Sequence, residues 1–165
     1  MTDKDRQVAP ADAGELAAGI TDAVTQWFRR DASTTEAQIN DLGSGSRNEP
    51  TVELTPSCLG QERVIVARVR IAIEHPEISL DYALGAQFQH GYSGPLPDAI
   101  LAEFMRATAA PMLIGMIRGA IATESAIFGV TKILLPYFIE AQIRTLPDEA
   151  FISAASNADE SGRTD

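Results

Sequence analysis

The sequence predicts an α+β fold: a four-stranded antiparallel sheet with a long helix and a C-terminal helix packed on one face. Three observations predict it. Apolar residues alternate with period two through 63–73 and 77–90, then recur at steps of three and four beyond residue 98. The strands precede the helices with no βαβ alternation, which puts the helices together on one face. With 165 residues, 45% hydrophobic and 22% charged, the chain fits one domain that buries a real core.

Taken in order, residues 1–12 are polar and read as a disordered N-terminus, 13–150 as the domain, and 151–165 as an acidic, disordered tail. From Gly14 to Arg30, Leu16, Ile20, Val24, Trp27 and Phe28 fall on one face of an N-terminal amphipathic helix. Asp12 is its N-cap, and Arg29 and Arg30 suit the negative end of its dipole. A weak strand near "AQINDL" (37–42) and a loop, "DLGSGSRNEP" (41–50), follow.

"TVELTP" (51–56) reads as an edge strand. In "RVIVARVRIAI" (63–73), Ile65, Ala67, Val69, Ile71 and Ile73 share one face. In "EISLDYALGAQFQH" (77–90), Ile78, Leu80, Tyr82, Leu84, Ala86 and Phe88 point one way and Ser79, Asp81, Ala83, Gly85, Gln87 and Gln89 the other. Joined by "EHPE", these two strands form a hairpin with one buried and one wetter face. Pro97 and Asp98 open a helix with an Ile100, Leu101, Phe104, Met105 stripe. Pro111 kinks or restarts it, and Leu113, Met116, Ile117, Ala120 and Ile121 continue it to about Glu124. "FGVTKILLPYF" (128–138) is an irregular crossover, and a last helix runs from about Pro136 to Leu146.

Charge excludes several functions. A net charge of −10 and a pI near 4.6 oppose binding to nucleic acid, which needs clustered Lys and Arg. The same charge opposes an anionic membrane surface and attracts a basic protein. Cys58 is the only cysteine, so no internal disulfide forms and a reducing cytoplasm fits. The N-terminal stretch lacks the apolar core of a secretory signal. The uncharged run Ala107–Ile117 lies between Arg106 and Arg118 and is shorter than the ~20 residues a membrane helix needs.

Catalytic chemistry has little support. "GYSGP" (91–95) departs from the GxSxG nucleophile elbow at Pro95 and reads as a loop turn. His75 and His90 share no metal-ligand spacing with Cys58 and read as solvated strand-end residues. There is no phosphate-binding glycine motif, and nothing indicates a cofactor or an enzyme. What stands out is apolar surface. Gly115 and Gly119 each cost a helix about 1 kcal/mol relative to Ala, which close approach of another backbone would justify, the alternative being a chance spacing in an ordinary core helix. "ILLPYF" (133–138) either covers the core or lines an apolar groove.

From about Ile39 to Leu146 the chain resembles the SecB-like export chaperones. "VARVRIAI" (66–73) and "LDYALGAQF" (80–88) are similar to that family's third and fourth strands, with Phe88 matching the aromatic residue of the fourth. "PLPDAILAEFM" (95–105) resembles the acidic helix start that follows, and "APMLIGMIRGAI" (110–121) the long helix, matching at Leu113, Arg118 and Ile121. "FGVTKILLPYF" resembles the crossover. Family proline, tyrosine and glutamate positions are here Gly115, Met116 and Gly119. The N-terminal helix looks more like the family members associated with toxin–antitoxin systems.

The resemblance implies an ATP-independent chaperone, a cytoplasmic homotetramer (a dimer of dimers), that binds non-native polypeptide clients for protein export or antitoxin control. It implies an oligomer interface at Gly115, Met116, Arg118 and Gly119. It also implies client-binding grooves near Phe88, Phe128, Ile133, Leu134, Leu135, Tyr137 and Phe138. Asp81 falls where a family acidic residue docks the basic tail of the motor SecA, and Ser79 falls where its apolar neighbour lies. The alternative is a non-chaperone binding module on the same scaffold that sequesters one specific protein or a small apolar ligand.

Overall fold

A computed structural model describes residues 9–35, 51–75, 78–127 and 138–156. In chain order these are α1 (Ala13–Ala18), β1 (Ile20–Ser33), β2 (Thr51–Gln61), β3 (Val64–His75), β4 (Ile78–His90), α2 (Asp98–Phe104), a π-helical turn (Met105–Ala109), α3 (Ala110–Ile127), α4 (Phe138–Thr145) and α5 (Glu149–Ser156). The strands form one antiparallel sheet in the order β1-β4-β3-β2.

β3 and β4 follow the period-two reading. Every member of the predicted apolar faces, Ile65 through Ile73 and Ile78 through Phe88, is buried. They meet Leu101, Phe104, Met105, Leu113, Ile114, Ile117 and Ile121 from the long helix. Side chains of this size each contribute about 1.5–3 kcal/mol when fully buried, and this layer is the source of the fold's stability.

The predicted helix over Gly14–Arg30 is corrected. Asp12 caps α1 as expected, accepting the Glu15 N–H at 2.8 Å, but the helix ends at Gly19 and residues 20–33 form β1. β1 is rich in β-branched and aromatic residues and pairs with β4 along its length. Two register shifts, at Ile20/Asp22 and Trp27/Arg29, break its alternation. The second puts Trp27 against the core and Phe28 on the opposite face. The resulting spacing of 20, 24, 27 and 28 imitates a helical stripe. Arg29 and Arg30 therefore serve the sheet: Arg29 bonds Asp81 on the outer face, and Arg30 pairs with Glu124 of α3 at 2.7 Å. The weak strand expected at 37–42 lies outside the described residues.

The long helix is continuous where a kink or restart at Pro111 was one expectation. Proline has no N–H to give, and its ring crowds the carbonyl four residues back. The turn just before it is widened, with the Ala110 N–H bonded to the Met105 carbonyl, and this accommodates Pro111 without a break. Asp98–Ile127 thus spans 30 residues, long and apolar enough to cross a membrane. That corrects the exclusion by length. Packing supplies the better argument, since half of the apolar stretch is buried inside the protein.

The tail predicted from residue 151 is corrected too. Residues 151–156 belong to α5, and Phe151 is completely buried. Arg106, in the π-helical turn, holds this end in place. It donates to the Leu146 carbonyl at 2.8 Å, pairs with Asp148, and lies 4.9 Å from the centre of the Phe151 ring.

Candidate functional site

The first candidate surface is the outward face of α3. Gly115, Met116 and Gly119 are exposed there, Met116 by 41%. A Cβ added at either glycine would meet nothing within 4 Å. The glycines therefore relieve no crowding within the monomer and leave a shallow, side-chain-free track along the helix. Arg118 stands on the flank, half-buried, and pairs with Glu140 of α4 at 2.8 Å. The structure thus gathers Gly115, Met116 and Gly119 on one open face, while Arg118 ties α3 to α4.

Of the expected groove residues, Phe128, Ile133, Leu134, Leu135 and Tyr137 lie outside the described residues, and Phe138 begins α4. Phe88 sits in the core. It is 3% exposed, and its ring meets that of Phe104 edge to face at 5.2 Å between centroids. In the monomer it supports the helix layer and offers no surface to a client.

Asp81 lies on the outer face of the sheet, where strands β1 and β3 bring arginines to it. Arg70 donates to both its oxygens at 2.9 and 2.8 Å, and Arg29 adds a bond of 2.6 Å. The Arg70 hydrogen bonds, aided by Arg29, hold the carboxyl below the usual carboxylate range. An open cleft of about 390 Å³ beside it is lined by Asp31, Glu53, Glu74 and Ser79 among others. A basic tail docking at Asp81 has to compete with two arginines already in place.

This fold has a solved counterpart. The Mycobacterium tuberculosis Rv1957 SecB-like chaperone, solved in complex with a ChAD peptide from the Rv1956 HigA1 antitoxin, superposes with a TM-score of 0.60. The match covers 75% of this chain and 94% of that one at 14% identity. The fold is SecB-like. A Streptococcus agalactiae protein of unknown function matches more weakly, with a TM-score of 0.45, 14% identity and coverage of 70% and 98%. No family model matches the chain, and no curated protein matches it.

Within this SecB-like frame, three features escaped the sequence reading. His90, expected at a solvated strand end, is 4% exposed and lies against Tyr92, with ring centroids 5.9 Å apart. Burial pushes its imidazole below the ordinary histidine range. The Tyr92 hydroxyl donates to the Glu15 carbonyl at 2.9 Å, so "GYSGP" anchors α1 to the sheet. Cys58 is buried as well, and burial pushes its thiol up to about 12, which leaves it unreactive. Among the described residues, no three His, Cys, Asp or Glu side chains gather to hold a metal ion.

Proposed function

We propose that this SecB-like chain is an ATP-independent chaperone that holds non-native polypeptide, acting as a cytoplasmic homotetramer built as a dimer of dimers. The observation that carries this reading is the SecB-like fold, shared with a chaperone that was solved holding an antitoxin peptide. Two further features support it. The open Gly115, Met116, Gly119 track lets a second helix approach closely, as an assembly surface requires. The unusual share of apolar residues in the sequence of 128–138 would suit clients of varied sequence better than a catalytic constellation does.

The ion network around Asp81 argues against motor docking there, because the carboxylate that would receive a basic tail is already paired with two arginines. Phe128, Ile133, Leu134, Leu135, Tyr137 and Phe138 are assigned to the client groove. The test is dilution of an unrelated, chemically unfolded protein into buffer with and without this protein, with no nucleotide present. Suppressed aggregation that is lost in the Leu134→Ser, Phe138→Ser double variant supports the reading. Protection of one dedicated partner alone would favour a sequestering module instead.

A further inference from the structure

The outer face of the sheet divides into two halves along the strands. Toward Ser79 it carries Arg29, Asp31, Glu53, Arg70, Glu74 and Asp81, and the Arg29, Arg70 and Asp81 charges answer one another through the ion pairs described above. Toward Gln87 it is different. The pairing registers align Val24, Gln87, Val66 and Leu59 as one row across all four strands. The next row is Gln26, Gly85, Arg68 and Ser57. Arg68 is the one charged residue in these two rows.

Three large exposed apolar side chains lie on this face, Val24 at 58% exposure and Phe28 at 48% on β1, and Leu59 at 44% on the far edge strand β2. The register shift at Trp27/Arg29 turns Phe28 onto this face, over Gly85. A Cβ at residue 85 would stand 2.6 Å from the Phe28 ring, so the glycine is what seats it. Beside the ring is a small depression of about 70 Å³ lined by Val24, Gln26, Phe28, Val66 and Gln87, with room for one aliphatic side chain. The Arg68 guanidinium lies 3.8 Å from the centre of the Phe28 ring. Among the described residues no carboxylate pairs with it.

A cation stacked on an aromatic ring, with apolar neighbours and no anion, is set out to receive one. We infer that this face docks an extended peptide segment in which an aliphatic side chain is followed by a carboxylate. The aliphatic group fills the depression between Val24 and Phe28, and the carboxylate pairs with Arg68. The site lies on the opposite face of the sheet from the helices and does not depend on the chaperone reading. It selects by charge, where an apolar groove selects by area. Because the chain as a whole is strongly acidic, Arg68 is the feature that admits an acidic segment here and nowhere else on these two rows.

The test uses two fluorescein-labelled nine-residue peptides built on Gly-Ser with a central Leu-Asp or Leu-Lys, measured by fluorescence anisotropy on the full chain at low salt. The Leu-Asp peptide should bind about ten-fold more tightly, the size of one well-placed charge pair. Arg68→Gln should abolish the difference, and Arg68→Lys should retain part of it. A Leu59→Asp variant should repel the acidic peptide while keeping the native mass. Equal binding of the two peptides, or a preference that survives Arg68→Gln, overturns the inference. So does a change of oligomeric mass in Leu59→Asp, which would make this face a contact between copies.

Discussion

Arg106 lies 4.9 Å from the ring centre of Phe151, so the π-helical turn of the long helix grips a fully buried side chain of α5. The same guanidinium bonds the Leu146 carbonyl and Asp148 at the turn between α4 and α5. The C-terminal segment is thereby built into the domain.

Phe151→Ala should cost about 3–5 kcal/mol by leaving a cavity where the ring packed. Arg106→Ala should cost less, about 1–3 kcal/mol, through lost charge-assisted bonds. Urea unfolding checks both, and removal of residues from 149 onward should match Phe151→Ala or exceed it.

Leucine at Gly115 and Gly119 should separate assembly from folding. Both positions are open in the monomer, and replacing helical glycine gains about 0.5–1 kcal/mol per position. The subunit fold should survive, with helical circular dichroism intact, while light scattering reports a smaller particle. An unchanged mass would return this face to solvent.

Acid should weaken the fold through His90 before it reaches the carboxylates. The folded state keeps the imidazole neutral by burial, so the unfolded chain binds the extra proton. Stability from this source is complete above about pH 6.5 and falls as pH drops below it, by at most about 1.4 kcal/mol per unit. Urea midpoints at pH 7.5 and 5.5 should differ in the native protein and much less in His90→Phe. An equal difference in both would place the sensitivity elsewhere.

Asp81 has its effect at lower pH. Its carboxyl is depressed by Arg70 and Arg29, so its contribution is present above the usual carboxylate pKa of about 3.9 and is lost as pH falls through the lower folded value. Asp81→Asn should cost about 1 kcal/mol at pH 7, and the gap from the native protein should close below about pH 4.

The fold was legible where one physical pattern ran without interruption. β3 and β4 alternate through their buried residues, and the long helix keeps a single apolar stripe on each side of Pro111. β1 was misread because it is an edge strand, exposed over most of its length, with two bulges that replace alternation by a helix-like spacing. α5 was missed because a polar, small-residue tail hides a single anchoring ring, Phe151. The open track on α3 was signalled by its two glycines. The Phe28–Arg68 pair was not, since only the cross-strand register brings residues 40 positions apart together.

Light scattering of an unfolded client diluted into buffer without nucleotide decides whether this protein holds non-native polypeptide. With the protein in slight molar excess over the client, aggregation should be largely suppressed and the client released in a form able to refold. Aggregation at the rate of the client alone, in the presence of the folded protein, would contradict the holding activity.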